Sequence, residues 1–146
     1  DATLTAGILD NRNSGQIATA GDLALSADTL VNDGGRVSAG HKLQATIAQG
    51  AGNAAGLIVA GTDLGLTAAS LDNTAGTLGA VAGSLDANAT GAIDNTAGRI
   101  EAAQNITSPA PGSPTPMAPW SAMRFPSTPA ARRLAIPMVA SLPTPR

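Results

Sequence analysis

The chain has 146 residues, of which 43% are hydrophobic and only 1% aromatic, with a formal net charge of -2. That is the length of one domain, and the shortage of large rings excludes an aromatic-rich core, leaving one gathered from Leu, Ile and Val as stacked repeats gather it. The mild acidity excludes the basic footprint of a nucleic-acid binder, and the lack of cysteine excludes disulfides and thiolate metal sites. No apolar run approaches the roughly 20 residues of a membrane-spanning helix. Asp1 stands where an initiator methionine would, with no signal peptide before it, so the chain reads as an excerpt of a longer one.

Taken in chain order, one short pattern returns five times. Its first copy runs Leu9, Asn11, Gly15, Ile17, Leu23, and its second Leu30, Asn32, Gly35, Val37, Leu43. The third is Ala51, Asn53, Gly56, Ile58, Leu64; the fourth, LDNTAGTL and onward, Leu71, Asn73, Gly76, Leu78, Leu85. The fifth, IDNTAGRI and onward, is Ile93, Asn95, Gly98, Ile100, Ile106. The glycines step by 20, 21, 20 and 22 residues. The first copy carries one extra residue between Asn11 and Gly15, and the third has Ala51 where its neighbours have Leu or Ile. Both are expected to be local irregularities.

Within each copy the apolar residues alternate, as in Leu23, Leu25, Ala27 and Leu64, Leu66, Ala68. Period two predicts strands, here three to five residues long, and 3.6-residue spacing is absent. A single unit cannot bury its apolar face. Stacking units about 4.8 Å apart pairs each strand with its counterpart above and below. The fold class expected is therefore all-β: a parallel β-helix of about five coils, each of 20–22 residues, over residues 1–107. Ile17, Val37, Ile58, Leu78 and Ile100 should form an inward column. Asn11, Asn32, Asn53, Asn73 and Asn95 should stack as an amide ladder at a corner. Gly15, Gly35, Gly56, Gly76 and Gly98 should supply a positive φ there.

The repeats, notably IDNTAGRIEAAQNIT over residues 93–107 and SGQIATAGDLALSADTLVNDGGRVSAG from Ser14, resemble the haemagglutinin repeats of filamentous-haemagglutinin-type exoproteins. The resemblance covers residues 1–107. It implies a right-handed β-helix, bacterial export by the two-partner route through an outer-membrane transporter, and a secreted or cell-surface location. It further implies the structural stalk of an adhesin, with a host or neighbouring-cell surface receptor or glycan as partner of the full-length protein. The alternative within the same class is the stalk of a contact-dependent growth inhibition toxin.

Chemistry is sparse in the sequence. A carbohydrate-active β-helix enzyme would cluster carboxylates and basic residues on one face, whereas the ten acids here are spread over the repeats. Asp72 and Asp94 recur at one place in adjacent coils, too few for calcium's six to eight oxygens, and read as a solvated turn. His41 reads as a surface residue with nothing beside it to complete a metal site or triad. GAGNAAG, Gly50 to Gly56, lacks the Lys-Ser/Thr of a phosphate loop. No catalytic, metal or cofactor residue is expected.

From Ser108 the language changes. All ten prolines, all three methionines, Trp120 and Phe125 lie in 108–146. That segment carries four arginines and no acid, +4 against -6 (four basic, ten acidic) for residues 1–107, together the chain's -2. Two readings stand. One is a proline-rich, irregular linker. The other is a segment translated out of frame: read one nucleotide out of phase, Met117–Ala118 and Met138–Val139 each become glycine, on the repeat's own spacing. Under either reading, prolines disfavour strands there.

Overall fold

The computed structural model describes residues 1–107. The expectations for 108–146 lie outside the described residues. The described chain is all strand and turn, fourteen strands in two sheets with every pairing parallel. The first coil is β1 (Ala2–Asp10) and β2 (Gln16–Thr19); the second is β3 (Leu23–Val31) and β4 (Arg36–Ala39). The third is β5 (Leu43–Ile47), β6 (Gly50–Gly52) and β7 (Leu57–Ala60); the fourth is β8 (Leu64–Ala68), β9 (Ser70–Asp72) and β10 (Thr77–Ala80). The fifth is β11 (Leu85–Ala89), β12 (Ile93–Asp94) and β13 (Arg99–Ala102), and β14 (Ile106–Thr107) opens a sixth turn.

One sheet of five strands runs β13-β10-β7-β4-β2; the other, of nine, holds the remaining strands, with β1 on β3. This is the expected β-solenoid. One detail differs from expectation: β1 and β3 run nine residues without a break. Gly7 and Asp28, which the register of β1 on β3 skips, stand where later coils bend through Ala48–Gln49, Ala69 and Thr90–Gly91, and pairing resumes at once with Ile8 on Thr29. Ile8 and Thr29 are both β-branched and favour an extended backbone just past the bend, whereas their counterparts Gly50, Ser70 and Ala92 are not.

The core lies between the sheets and is built in columns. Leu23, Leu43, Leu64 and Leu85 stack one above the next, as do Val37, Ile58 and Leu78, and all are buried. Volume is balanced within each coil. Leu25 and Ala27 in the second become Ala45 and Ile47 in the third, then Leu66 and Ala68 in the fourth. Ala51 is buried between Leu30 and Leu71, so the third copy departs in size but not in place.

Candidate functional site

The chemistry of this molecule is concentrated at the corner joining the two sheets. Asn11 donates through Nδ2 to Asn32 Oδ1 at 2.7 Å, Asn32 to Asn53 at 2.7 Å, Asn53 to Asn73 at 2.7 Å, and Asn73 to Asn95 at 2.6 Å. The chain of amides runs one way only, each donating toward the C-terminal end. The same nitrogens also donate to the next coil's carbonyls: Asn11 to Arg36, Asn32 to Leu57, Asn53 to Thr77 and Asn73 to Arg99, at 3.1–3.3 Å. Asn32, Asn53 and Asn73 are wholly buried. No buried side-chain nitrogen or oxygen among the described residues lacks a partner. Polar groups this deep are tolerated because each is hydrogen-bonded.

Asparagine leads into a tight turn. The N–H of the glycine three residues on donates to the asparagine's own carbonyl in Asn32–Gly35, Asn53–Gly56, Asn73–Gly76 and Asn95–Gly98, each at 3.0 Å. In the first coil the extra residue moves this bond along by one. Gly15 N–H donates to Arg12, and both Asn13 and Ser14 take a positive φ.

The role expected for the five glycines is corrected here. Gly15, Gly35, Gly56, Gly76 and Gly98 do not take the positive φ. It falls one residue earlier, on Ser14, Gly34, Ala55, Ala75 and Ala97. The glycines are demanded by proximity instead. A Cβ at Gly35, Gly56, Gly76 or Gly98 would fall far inside contact distance of the asparagine carbonyl one coil below, and of its own coil's Asn Oδ1. At Gly15 it would meet Asn11. The coils close on one another at this corner only where the side chain is a hydrogen atom.

The inward column lies beyond the turn: Ile17 on Val37, Val37 on Ile58, Ile58 on Leu78, Leu78 on Ile100. Val37, Ile58 and Leu78 are at most 1% exposed, while Ile17 and Ile100, in the end coils, are half-buried. The chain thus brings the sequence-derived glycines and asparagines together, and sets the aliphatic column inside, next to them.

A second set of inter-coil contacts was missed in the sequence. At the opposite corner Asp1 Oδ1 accepts from Asp22 N–H at 2.9 Å, Asp22 Oδ1 from Lys42 N–H at 3.0 Å, and Asp63 Oδ1 from Ser84 N–H at 2.9 Å. The available signal was an aspartate directly before the first leucine of a strand, in Asp22–Leu23 and Asp63–Leu64. Asp72 and Asp94 stack in register, but each turns back on its own chain, accepting from Thr74 and Thr96 N–H at 2.9 and 2.8 Å. The Thr96 hydrogen bonds hold the Asp94 carboxyl below its ordinary value. Asp10 is held low in the same direction, by its hydrogen bond from Arg12. His41 is exposed. Among the described residues no group of three or more His, Asp or Glu side chains is placed to hold a metal ion, and no helix is long and apolar enough to cross a membrane.

A profile of the haemagglutinin repeat matches the chain over residues 1–46 and 38–107. Neither the curated proteins nor the solved structures compared gave a match. The repeat profile spans every coil whose asparagine, glycine and aliphatic columns have just been described, and the chain therefore belongs to the haemagglutinin-repeat family, a structural and adhesin-type family typically secreted or surface-associated.

Proposed function

We propose that residues 1–107 serve as a length of rigid stalk in a secreted or surface-displayed bacterial adhesin. It is exported through an outer-membrane two-partner transporter and holds a receptor- or glycan-binding region away from the cell. The observation that carries this reading is the unbroken parallel register of the coils, locked at one corner by the buried asparagine ladder. Five coils at about 4.8 Å each give a body about 24 Å tall. Bending it means opening backbone ladders on two sheets and the amide chain together. The outer face of the nine-stranded sheet carries a polar row, with Thr5, Ser26, Thr46, Thr67 and Asn88 side by side. Such a face stays hydrated along a stalk's flank.

The test is antibody labelling of intact bacteria producing the protein, using antibody raised to residues 1–107. Labelling of intact cells, lost when the partner transporter is deleted, is expected. Labelling only after lysis would overturn surface display. Undiminished labelling without the transporter would overturn the export route.

A further inference from the structure

We propose that the C-terminal edge of the stack, formed by β12, β13 and β14, is a docking surface for a sixth and a seventh coil, which the same gene encodes one nucleotide out of phase with residues 108–146. This goes beyond the stalk reading, because it concerns what covers the edge and not what the stack is for.

The edge is an unfinished coil interface. Asn73 Nδ2 donates to Gly76 O, Asn95 Oδ1 and Arg99 O, whereas Asn95 Nδ2 donates among the described residues only to Gly98 O. Ile100 and Ile106 are half-buried where their counterparts Leu78 and Leu85 are at most 1% exposed. Strand β14 already begins the next turn in register, Ile106 on Leu85 and Thr107 on Asp86.

What the edge requires can be stated from the coils before it. A side-chain carbonyl must arrive at the ladder position to receive Asn95 Nδ2. Three residues later a glycine must pass over the Asn95 backbone carbonyl, where any Cβ would clash, as at Gly98 over Asn73. Two residues after that an aliphatic must cover Ile100.

The codons of 108–146 are compatible with these requirements when read one nucleotide out of phase, each codon taking the last base of one residue and the first two of the next, and they force the two glycines. Met117–Ala118 (ATG-GCN) becomes GGC, glycine, and 118 lies 20 positions after Gly98. Met138–Val139 (ATG-GTN) becomes GGT, glycine, 21 positions further on. Three positions before each, Pro114–Thr115 and Ala135–Ile136 become NAC and NAT, which encode only Asn, Asp, His or Tyr. Two positions after the first glycine, Pro119–Trp120 becomes NTG: Leu, Met or Val. Arg124–Phe125 becomes NTT, an aliphatic or Phe, seven positions after that glycine, one short of the eight or nine at which Leu23, Leu43, Leu64, Leu85 and Ile106 follow theirs. The junction fits the loss of one C from ACC-CTC, which turns Thr-Leu into Thr107–Ser108. Two of the three stop codons are excluded from this phase. TAA and TGA need a residue whose codon begins AA or GA, and no Asn, Lys, Asp or Glu occurs in 108–146.

The first test is the nucleotide sequence of codons 107–146. Asn or Asp at both ladder positions, with no TAG in the shifted phase, is expected; His or Tyr at both, or a TAG before the second glycine, overturns the proposal. The second uses the full chain, comparing the protein as it stands with one made from a gene carrying a single inserted nucleotide after codon 107. The restored protein should melt at least about 5 °C higher and gain hydrogen-exchange protection at the Ile100 and Ile106 amides. Changing its two restored glycine codons to valine should abolish both gains. Equal or lower melting with unprotected edge amides overturns the proposal. So does concentration-dependent self-association of the unaltered chain that persists undiminished in the restored one, since the edge would then belong to a second copy.

Discussion

Ala55 and Gly56 sit side by side, and the sequence alone suggests the wrong one of them for the turn's special backbone. Ala55 carries φ 52 while Gly56, one residue later, has no room for a Cβ beneath the Asn32 carbonyl. The two substitutions therefore have opposite signs. A left-handed non-glycine residue costs about 1–2 kcal/mol, against the about 0.5–1 kcal/mol of chain entropy that glycine loses on folding. Ala55→Gly, like Ala75→Gly and Ala97→Gly, should stabilise by about 0.5–1 kcal/mol. Gly56→Ala should destabilise by more than that, because the opposing atom is backbone and cannot swing aside. Urea unfolding of both variants checks this, and stabilisation by Gly56→Ala would contradict the proximity argument. The ladder gives a second case. Asn53→Ala leaves Asn73 Oδ1 without its donor in a fully buried setting, while Asn32 Nδ2 loses one acceptor and keeps the Gly35 and Leu57 carbonyls, a loss of about 1–3 kcal/mol for the one unsatisfied group. Asn53→Asp should be worse, since a carboxylate faces Asn73 Oδ1 and a buried unpaired charge is costlier than a missing amide. If both variants unfold at the wild-type midpoint, the ladder contributes nothing to stability. Asp94 gives a milder, pH-dependent expectation. Its folded value is depressed, so its small contribution is complete above the unfolded value near 3.8 and is lost as pH falls through its own lower one. A carboxyl NMR titration should place its midpoint below 3.8; a midpoint at or above that would contradict the Thr96 hydrogen bonds.

Strands here owe their stability to the same strand in the next coil, because β7 or β10 alone is four residues long. Substituting Val37, Ile58 or Leu78 by Asp puts a charge into a column that is at most 1% exposed. The cost is several kcal/mol, more than the about 1.5–3 kcal/mol contributed by burying the aliphatic it replaces. The damage should spread to the coils on either side, which lose a stacking partner too. Thermal unfolding by circular dichroism should lose its cooperative transition, and a sharp transition at the original temperature would show that the column is not a shared core. This dependence on neighbours also explains what the sequence disclosed. Leu23, Leu25 and Ala27 alternate because one face is buried, so strand identity and register were legible at once. The stacking of Asn11 through Asn95 was legible because identical residues at a fixed spacing must meet in a coil of that length. The glycine's reason was not. Positive φ and absence of space both select glycine, and only the position of the Asn carbonyl one coil below separates them. The Asp22 and Asp63 bridges were hidden for a related reason: Lys42 interrupts their column, so the residue type does not repeat although the backbone geometry does.

At the scale of the whole molecule, each coil touches only the coil before and the coil after, so length should be adjustable in whole coils and in nothing else. The register shows where the cut must fall. Leu43 pairs with both Leu23 and Leu64, so removing residues 43–63 joins Lys42 to Leu64 and lays the fourth coil directly on the second. Asn73 then arrives over Asn32, Gly76 over the Asn32 carbonyl, and Leu78 over Val37, each replacing a residue of its own kind. The shortened chain should keep its strand signature and its cooperative transition, and melt several degrees lower for the loss of one interface. Removing ten residues, 43–52, is a smaller deletion with a larger effect. It sets Asn53 in the place that Leu43 holds, over Leu23, bringing a ladder amide into the aliphatic column with no partner of its own. That chain should lose its β signature from the damaged coil onward. Circular dichroism and urea unfolding of the two deletions, compared with the intact chain, decide the matter. If the ten-residue deletion folds as well as the whole-coil deletion, the coil is not the unit from which this molecule is built.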